Sequence, residues 1–97
     1  TSQTIPASRA IEIGLIQQIA PASQINAIVE STAATIAKGG PIAIAYTKEA
    51  VLNSTELSLN QGLVLEQDLS LLLYSTKDRV EGLSAFKEKR TPKYGGE

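Results

Sequence analysis

Hydrophobic residues recur at helical spacing along most of this chain, and Gly and Pro separate the resulting segments. From residue 25 the apolar side chains fall at i, i+3, i+4, i+8 and i+11, which is one face of an amphipathic helix. Those side chains are Ile25, Ile28, Val29, Ala33 and Ile36. The Gly-Gly-Pro sequence at 39–41 ends this helix. Upstream, the pattern predicts a short helical turn over 8–13, closed by Gly14 as its C-terminal cap, and then a brief extended piece over 15–19.

Three further helices are predicted downstream. Pro41 opens the first of them, at a position where its missing N–H costs nothing. A Ser-x-x-Gln capping box at 58–61 begins a leucine-rich helix that runs to about Tyr74, because the box satisfies two otherwise unpaired N–H groups. Thr76 caps the last helix and Pro92 bars its continuation.

The predicted helices carry more apolar surface than a short chain can bury. The helix from Pro41 and the leucine-rich helix are apolar on nearly all sides, so we expect both to be largely buried. In the last helix, a stripe at Val80, Leu83 and Phe86 is expected to be buried as well. A lone domain of about this size buries only about two-thirds of the surface of its unfolded chain. The sequence therefore predicts a mainly α chain that forms part of a larger assembly.

Composition excludes several classes of function. The chain has 97 residues with no Cys, His or Met, a formal net charge of −1 and 4% aromatic residues. It therefore has no disulfides, no thiolate zinc site and no Ser-His or Cys-His nucleophile pair. Near-neutral charge and few aromatics argue against nucleic acid as a partner, and no apolar run reaches the roughly 20 residues of a membrane span. Since the first residue is Thr1, we expect a processed chain or a piece of a longer protein.

A sequence motif near the end of the chain matches a known family. Residues 76–92 fit the pattern T-x-D-x-x-E-G-x-x-A-F-x-E-K-R-x-P at every fixed position, and residues 7–19 fit A-x-x-A-x-x-x-G-L-V-x-x-V with Ile in place of Val. On these motifs the chain resembles the C-terminal part of the enoyl-CoA hydratase/isomerase (crotonase) superfamily. The segments at 40–43 and 76–79, with the tail at 94–97, are most similar to the methylglutaconyl-CoA hydratase subfamily.

The resemblance implies a fold and a domain organisation. Residues 1–20 would form the end of the crotonase core, as a short helix and a short strand. Residues 21–97 would form the C-terminal helical oligomerisation region of this α/β superhelix fold. The resemblance also implies a homo-oligomer, either a trimer or a dimer of trimers.

The resemblance implies a chemistry as well, which is the addition of water across the double bond of a 2-enoyl-CoA thioester. Backbone N–H groups would stabilise the developing oxyanion, and two glutamates would position the water and transfer its proton. We expect all of these groups upstream of Thr1, so that this chain alone is inactive. The parent protein is expected to be a hydratase, which is a lyase, or a related enoyl-CoA isomerase. No tightly bound cofactor or metal is expected, and acyl-CoA is the substrate. An intracellular protein is expected, either in the mitochondrial matrix or in the bacterial cytoplasm.

One residue of this chain is a candidate CoA contact. Lys89 matches the lysine that, in several members of the family, reaches the adenosine phosphate of CoA bound by a neighbouring subunit, and Arg90 and Lys93 could assist it. The alternative role for Lys89 is a solvated charge that complements the helix dipole. Tyr74 matches a functional tyrosine of naphthoate-synthase-like members, but its apolar neighbours favour an ordinary, partly buried aromatic. Glu66 and Glu81 are interpreted as surface or N-terminal-turn charges, although paired carboxylates are a catalytic arrangement.

Two other functions remain open at the level of sequence. The parent protein could have kept the crotonase fold as a non-catalytic module that binds CoA or another protein. The 97 residues could also be an independent helical interaction domain. Cooperative unfolding of the isolated chain as a monomer would favour the independent domain over a part of a larger fold.

Overall fold

Helices form most of the described chain, as predicted. A computed structural model describes residues 2–97, and it contains five α-helices in this part of the chain: α1 (Ala7–Glu12), α2 (Ile25–Ile36), α3 (Pro41–Asn53), α4 (Leu59–Leu73) and α5 (Lys77–Glu88). A single 3-10 turn, Ala22–Gln24, precedes α2. Within residues 2–97 there is no β-strand, so the strand expected over 15–19 is not observed. A strand requires a paired neighbour, and no segment among the described residues pairs with this one.

The chain divides into two compact units, one up to Ala33 and one over Ala34–Glu97. In the first unit, α1 ends on Gly14, which has a left-handed φ of 73°. The N–H of Gly14 donates to the carbonyl of Ile11 at 3.1 Å, and the N–H of Leu15 donates to that of Ala10 at 2.9 Å. These two bonds form a Schellman motif, which confirms Gly14 as the predicted cap. The proposed boundary between 1–20 and 21–97 stays a prediction.

In the second unit, α3 and α4 pack against each other. Pro41 is the first residue of α3, as predicted. The capping box at the start of α4 is complete: the Gln61 N–H donates to Ser58 Oγ at 3.3 Å, and the Ser58 N–H donates to Gln61 Oε1 at 3.1 Å. Leu69 is the buried residue of α4, and it lies in the groove that α4 forms with α3.

Helix α5 begins and ends on local hydrogen bonds. Thr76 is its N-cap, since the Arg79 N–H donates to Thr76 Oγ1 at 3.2 Å. Its last helical residue is Glu88, and Ala85 is almost completely buried. The N-cap and the position of this helix are as the sequence predicts.

Few apolar side chains are buried within this chain. Among the described residues, the buried apolar side chains are Ala10, Leu69 and Ala85. No residue of α3 is buried, and Phe86 of α5 is 83% exposed. The apolar faces of α3, of most of α4 and of the α5 stripe are thus exposed in this chain by itself, as expected for a chain with more apolar surface than it can bury, and their burial in a larger assembly stays a prediction. They are exposed because no other element of the unit Ala34–Glu97 covers these faces.

Candidate functional site

Lys89 lies at the C-terminal end of α5, in a left-handed backbone conformation. Its φ of 54° and ψ of 39° make it the one residue other than glycine with positive φ in the described part of the chain. The Lys89 N–H donates to the carbonyl of Phe86 at 3.3 Å, and the Arg90 N–H donates to that of Ala85 at 3.0 Å. This is again a Schellman motif, with lysine at the position that glycine usually occupies. The turn reverses the chain, so that the residues after Lys89 run back along α5.

Arg90 joins this turn to the side of α5. Its Nη1 donates to Glu81 Oε1 at 2.5 Å and its Nη2 donates to Glu81 Oε2 at 2.9 Å, which is a bidentate pair. Its Nε donates to Glu88 Oε2 at 2.6 Å, and Ser84 Oγ donates to the other oxygen of Glu88 at 2.8 Å. Glu81 Oε1 also accepts the backbone N–H of Lys93 at 2.8 Å. We call this set the Arg90 clamp: Glu81, Ser84, Glu88, Arg90 and the Lys93 N–H.

The Arg90 clamp shifts the pKa values of its charged members. Hydrogen bonds from Arg90 and then from the Lys93 N–H lower the pKa of Glu81 from 4.5 to about 2, against a smaller opposing effect of desolvation. Hydrogen bonds from Arg90 and Ser84 lower the pKa of Glu88. The same two carboxylates raise the pKa of Arg90. All three groups are therefore ionised at neutral pH.

The lysines beside the clamp have no ion-pair partner among the described residues. Lys87, Lys89 and Lys93 are exposed, and no carboxylate of residues 2–97 lies within ion-pair distance of their ammonium groups. Arg90, by contrast, directs its Nε and both terminal nitrogens to Glu81 and Glu88. The end of α5 therefore presents ammonium groups that can accept an anion such as a phosphate.

The tail of the chain is fixed to the start of α5 by a buried carboxylate. Asp78 is 8% exposed. Its Oδ1 accepts the Gly95 N–H at 2.7 Å and its Oδ2 accepts the Gly96 N–H at 2.9 Å. The backbone carbonyl of Glu97 in turn accepts the N–H groups of Lys77 at 2.7 Å and Asp78 at 3.3 Å. By its place in the sequence Asp78 is a charge that favours the helix N-terminus, and the structure adds this long-range role.

Two glycines make room for the ring of Tyr94. A Cβ atom on Gly82 would lie 3.1 Å from the Tyr94 hydroxyl, and a Cβ on Gly40 would lie 3.7 Å from the Tyr94 ring and 3.5 Å from Asp78 Oδ2. The tail therefore approaches α5 and the start of α3 closely at this point. A Cβ atom on Gly62 would meet no atom of the described chain within 4 Å. Packing among these residues therefore does not require a glycine at position 62.

The other sequence candidates lie apart from this site. Glu66 is exposed and lines the groove between α3 and α4, together with Tyr46 and Leu69. Glu81 is in the Arg90 clamp instead, so the two glutamates do not meet as a catalytic pair. Tyr74 is 63% exposed, so it is less buried than its apolar neighbours in sequence suggest. The guanidinium of Arg79 lies 4.0 Å from the centre of the Tyr74 ring, which is a cation–π contact.

Two further kinds of feature are absent from the described part of the chain. No group of three or more acidic side chains is placed to hold a metal ion in residues 2–97. Over the same residues, no helix is long and apolar enough to span a membrane.

Comparison with known proteins decides the family. A sequence model described as enoyl-CoA hydratase/isomerase matches residues 1–97. The chain belongs to this family. The resemblance proposed from the sequence motifs is thereby confirmed.

Members of the enoyl-CoA hydratase/isomerase family with known names are similar over the whole chain. The 2,3-dehydroadipyl-CoA hydratase of Escherichia coli K12 is 35% identical over 96 residues, which are 99% of this chain and 38% of that protein. The mitochondrial methylglutaconyl-CoA hydratase of mouse is 35% identical over 101 residues, covering 100% of this chain and 32% of that protein. The chain thus spans about a third of the length of these relatives.

A solved structure gives the same result for the fold. The enoyl-CoA hydratase of Bacillus anthracis, determined at 1.8 Å, superposes with a TM-score of 0.88 at 43% identity, over 94% of this chain and 35% of that one. The helical chain therefore has the fold of part of a crotonase-type enzyme, as the sequence predicts.

Sequence reasoning misses the Arg90 clamp and the tail contacts of Asp78. All of these residues stand within the family motif at 76–92 or directly after it, which is the available signal. Helical periodicity describes a helix and its immediate caps, whereas the partners of these side chains lie beyond the end of the helix, after a chain reversal. The left-handed cap at Lys89 could not be predicted either, because lysine seldom adopts the left-handed backbone conformation.

Proposed function

We propose that this chain is part of an enoyl-CoA hydratase, in which it supplies a phosphate contact for CoA and surfaces for subunit assembly. The observation that carries the proposal is the family match over residues 1–97. Two relatives of similar identity are named as hydratases of CoA thioesters. One is bacterial and the other is mitochondrial, and we accordingly propose an intracellular location.

The proposed reaction adds water to the double bond of an enoyl thioester. The oxygen of water forms a bond to the β-carbon, one proton is transferred to the α-carbon, and negative charge develops on the thioester oxygen in between. Backbone N–H groups stabilise that oxygen, and two glutamates orient the water and carry its proton. We assign these groups to polypeptide outside residues 1–97, and we give Glu66 and Glu81 no catalytic role.

The contribution of this chain to substrate binding is proposed for Lys89. Its ammonium has no carboxylate partner among the described residues, and it stands at a turn that the Arg90 clamp holds. An uncompensated ammonium suits the adenosine phosphate of CoA. Lys93 adds a second positive charge nearby in sequence, whereas Arg90 is occupied by two carboxylates.

The contribution to assembly is proposed for the exposed apolar faces of α4 and α5. Leu59 is 81% exposed and Phe86 is 83% exposed, and burying such side chains contributes about 1.5–3 kcal/mol each. A homo-oligomer, as a trimer or a dimer of trimers, would cover these faces together with the rest of the same fold.

A hydration assay tests the proposed reaction. We expect the protein at its natural full length to hydrate crotonyl-CoA, and we expect the isolated 97-residue chain to have no turnover, because the catalytic groups are assigned elsewhere. Turnover by the isolated chain would contradict that assignment. CoA binding by the full-length protein without hydration of any enoyl-CoA would favour the non-catalytic module.

The CoA contact is tested by Lys89→Ala in the full-length protein. We expect KM for the thioester to rise about three- to tenfold, with kcat within about twofold, since a contact made equally in ground state and transition state is removed. Lys38→Ala removes an exposed lysine before α3 and serves as the matched control, with no expected change. An unchanged KM in Lys89→Ala would leave Lys89 as a solvated helix-end charge.

A further inference from the structure

We propose that Glu81 is a positioning residue for the Lys89 ammonium, and that it acts through Arg90 and the Lys93 backbone. This inference rests on the proposed function, because it concerns how the same CoA phosphate contact is held. Glu81 itself touches no substrate in this proposal.

The first part of this role is to keep the Glu88 carboxylate from pairing with the Lys89 ammonium. Glu88 directly precedes Lys89 in the chain, so its carboxylate is the one next in sequence that could pair with the Lys89 ammonium. Arg90 binds that carboxylate through Nε at 2.6 Å. Arg90 can be in this place because Glu81 holds its other two nitrogens in a bidentate pair. Glu88 is thereby engaged, and the Lys89 ammonium stays available for an external anion.

Support of the backbone is the second part. A lysine in the left-handed conformation is strained relative to the right-handed one, so the turn at Lys89 needs support from its surroundings. Glu81 Oε1 accepts the Lys93 N–H at 2.8 Å while it also binds Arg90. A single carboxylate on α5 therefore fixes the chain on the far side of the turn, through two residues that follow Lys89. Loss of this carboxylate removes the three hydrogen bonds that tie Arg90 and Lys93 to Glu81, and it weakens the support of the turn that carries the ammonium.

Positioning by Glu81 differs in sign from simple electrostatics. Glu81→Gln removes a negative charge from the vicinity of a phosphate-binding lysine, and charge alone would make CoA bind more tightly. A positioning role predicts weaker binding of CoA, because the variant also loses the hydrogen bonds that hold the turn at Lys89 in place. The direction of the change therefore separates the two effects.

The experiment measures how strongly the full-length protein distinguishes CoA from 3′-dephospho-CoA, which lacks the adenosine phosphate. Dissociation constants for both ligands are determined by calorimetry for wild type, Lys89→Ala, Glu81→Gln and the double variant. We expect Lys89→Ala and Glu81→Gln each to reduce the preference for CoA about three- to tenfold, with KM raised and kcat kept in the hydration assay. The double variant should be no worse than Lys89→Ala alone, because Glu81 acts through Lys89.

Controls keep the inference separate from loss of fold and from the proposed function. Glu30→Gln makes the same charge change on the exposed surface of α2 and should leave the preference unchanged. If Glu81→Gln does not fold, Arg90→Lys keeps the positive charge but cannot form the bidentate pair with Glu81, and it should reduce the preference as well. A wild-type preference in Arg90→Lys would then overturn the inference.

The remaining outcomes are decided by the single variants. A reduced preference in Lys89→Ala, together with an unchanged or increased preference in Glu81→Gln, overturns the positioning role and leaves the proposed CoA contact standing. An unchanged preference in Lys89→Ala overturns both.

Discussion

At the scale of the residue, Lys89 has a backbone conformation that residues with a side chain seldom adopt. Its φ of 54° resembles the 73° of Gly14, and each residue closes a helix through the same pair of hydrogen bonds. Glycine adopts this conformation without strain, whereas for a lysine it costs about 1–2 kcal/mol. This strained conformation is one reason to propose a binding role for the Lys89 side chain.

The exchange of Lys89 for glycine should therefore separate stability from binding. We expect Lys89→Gly to raise the free energy of unfolding by about 0.5–1 kcal/mol, since the relief of strain exceeds the entropy that glycine adds to the unfolded chain. The same variant should lose the preference for CoA over 3′-dephospho-CoA. Urea unfolding and ligand calorimetry measure the two quantities on one preparation.

Lys87→Gly is the matched control for that exchange. Lys87 is exposed in the last turn of the same helix, with ordinary helical geometry, so glycine there should lower the free energy of unfolding by about 1 kcal/mol. If both glycine variants destabilise the protein equally, the left-handed strain at Lys89 has no energetic weight.

At the scale of the element, the helix ends are set by short-range chemistry. Ser58 and Gln61 exchange hydrogen bonds at the start of α4, and Thr76 accepts one at the start of α5. Each bond joins residues three apart in sequence and pairs an N–H group that the helix leaves unsatisfied. These helices therefore begin where the sequence dictates, whatever packs on them.

A serine pair in α4 tests this view of the helix start. Ser58→Ala should lower the free energy of unfolding by about 1 kcal/mol, because the cap bond is lost. Ser70→Ala, at an exposed position within the same helix, should be neutral or slightly stabilising, because alanine is the better helix former. Denaturant midpoints at constant slope give both values, and equal values for the two variants would contradict a role for the cap.

The contrast between Ser58 and Asp78 explains how much the sequence can predict. Helix bounds, the Gly14 cap and the capping box depend on neighbours within a few positions, and all are predicted. The partners of Asp78 are 17 and 18 residues away, and Arg90 is 9 residues from Glu81. Those contacts depend on a reversal of the chain at position 89, and a lysine at that position does not indicate such a turn. The family motif identifies the same positions without their physical roles.

At the scale of the whole molecule, the dominant feature is the apolar surface that this chain leaves uncovered. Large side chains on α3, α4 and α5 are more than half exposed, including Leu52, Leu71 and Phe86. Each is expected to lower the solubility of the free chain and to favour contact with another apolar surface. The sequence predicts that these faces exceed what the chain can bury, but not what covers them, since periodicity shows only which face is apolar.

The free 97-residue chain should consequently associate. We expect its helical circular dichroism and its sedimentation coefficient to rise together with concentration, because the faces of α4 and α5 find partners only between molecules. Phe86→Asp should weaken that association, whereas Lys87→Asp, which makes a larger charge change on the neighbouring polar position, serves as the control for charge. Cooperative unfolding of a monomer at all concentrations would support an independent helical domain instead.

The contacts between α5 and the tail also bear on the order of folding. The partners in this part of the chain are separated by 9 to 20 residues, and loops of that size close at a low entropic cost. Helix α5, its reversal at Lys89 and the tail can therefore assemble early, on the time scale of local structure, without waiting for distant segments. An early unit of this kind would bring a buried aspartate and its amide donors together before the remaining apolar faces find their partners.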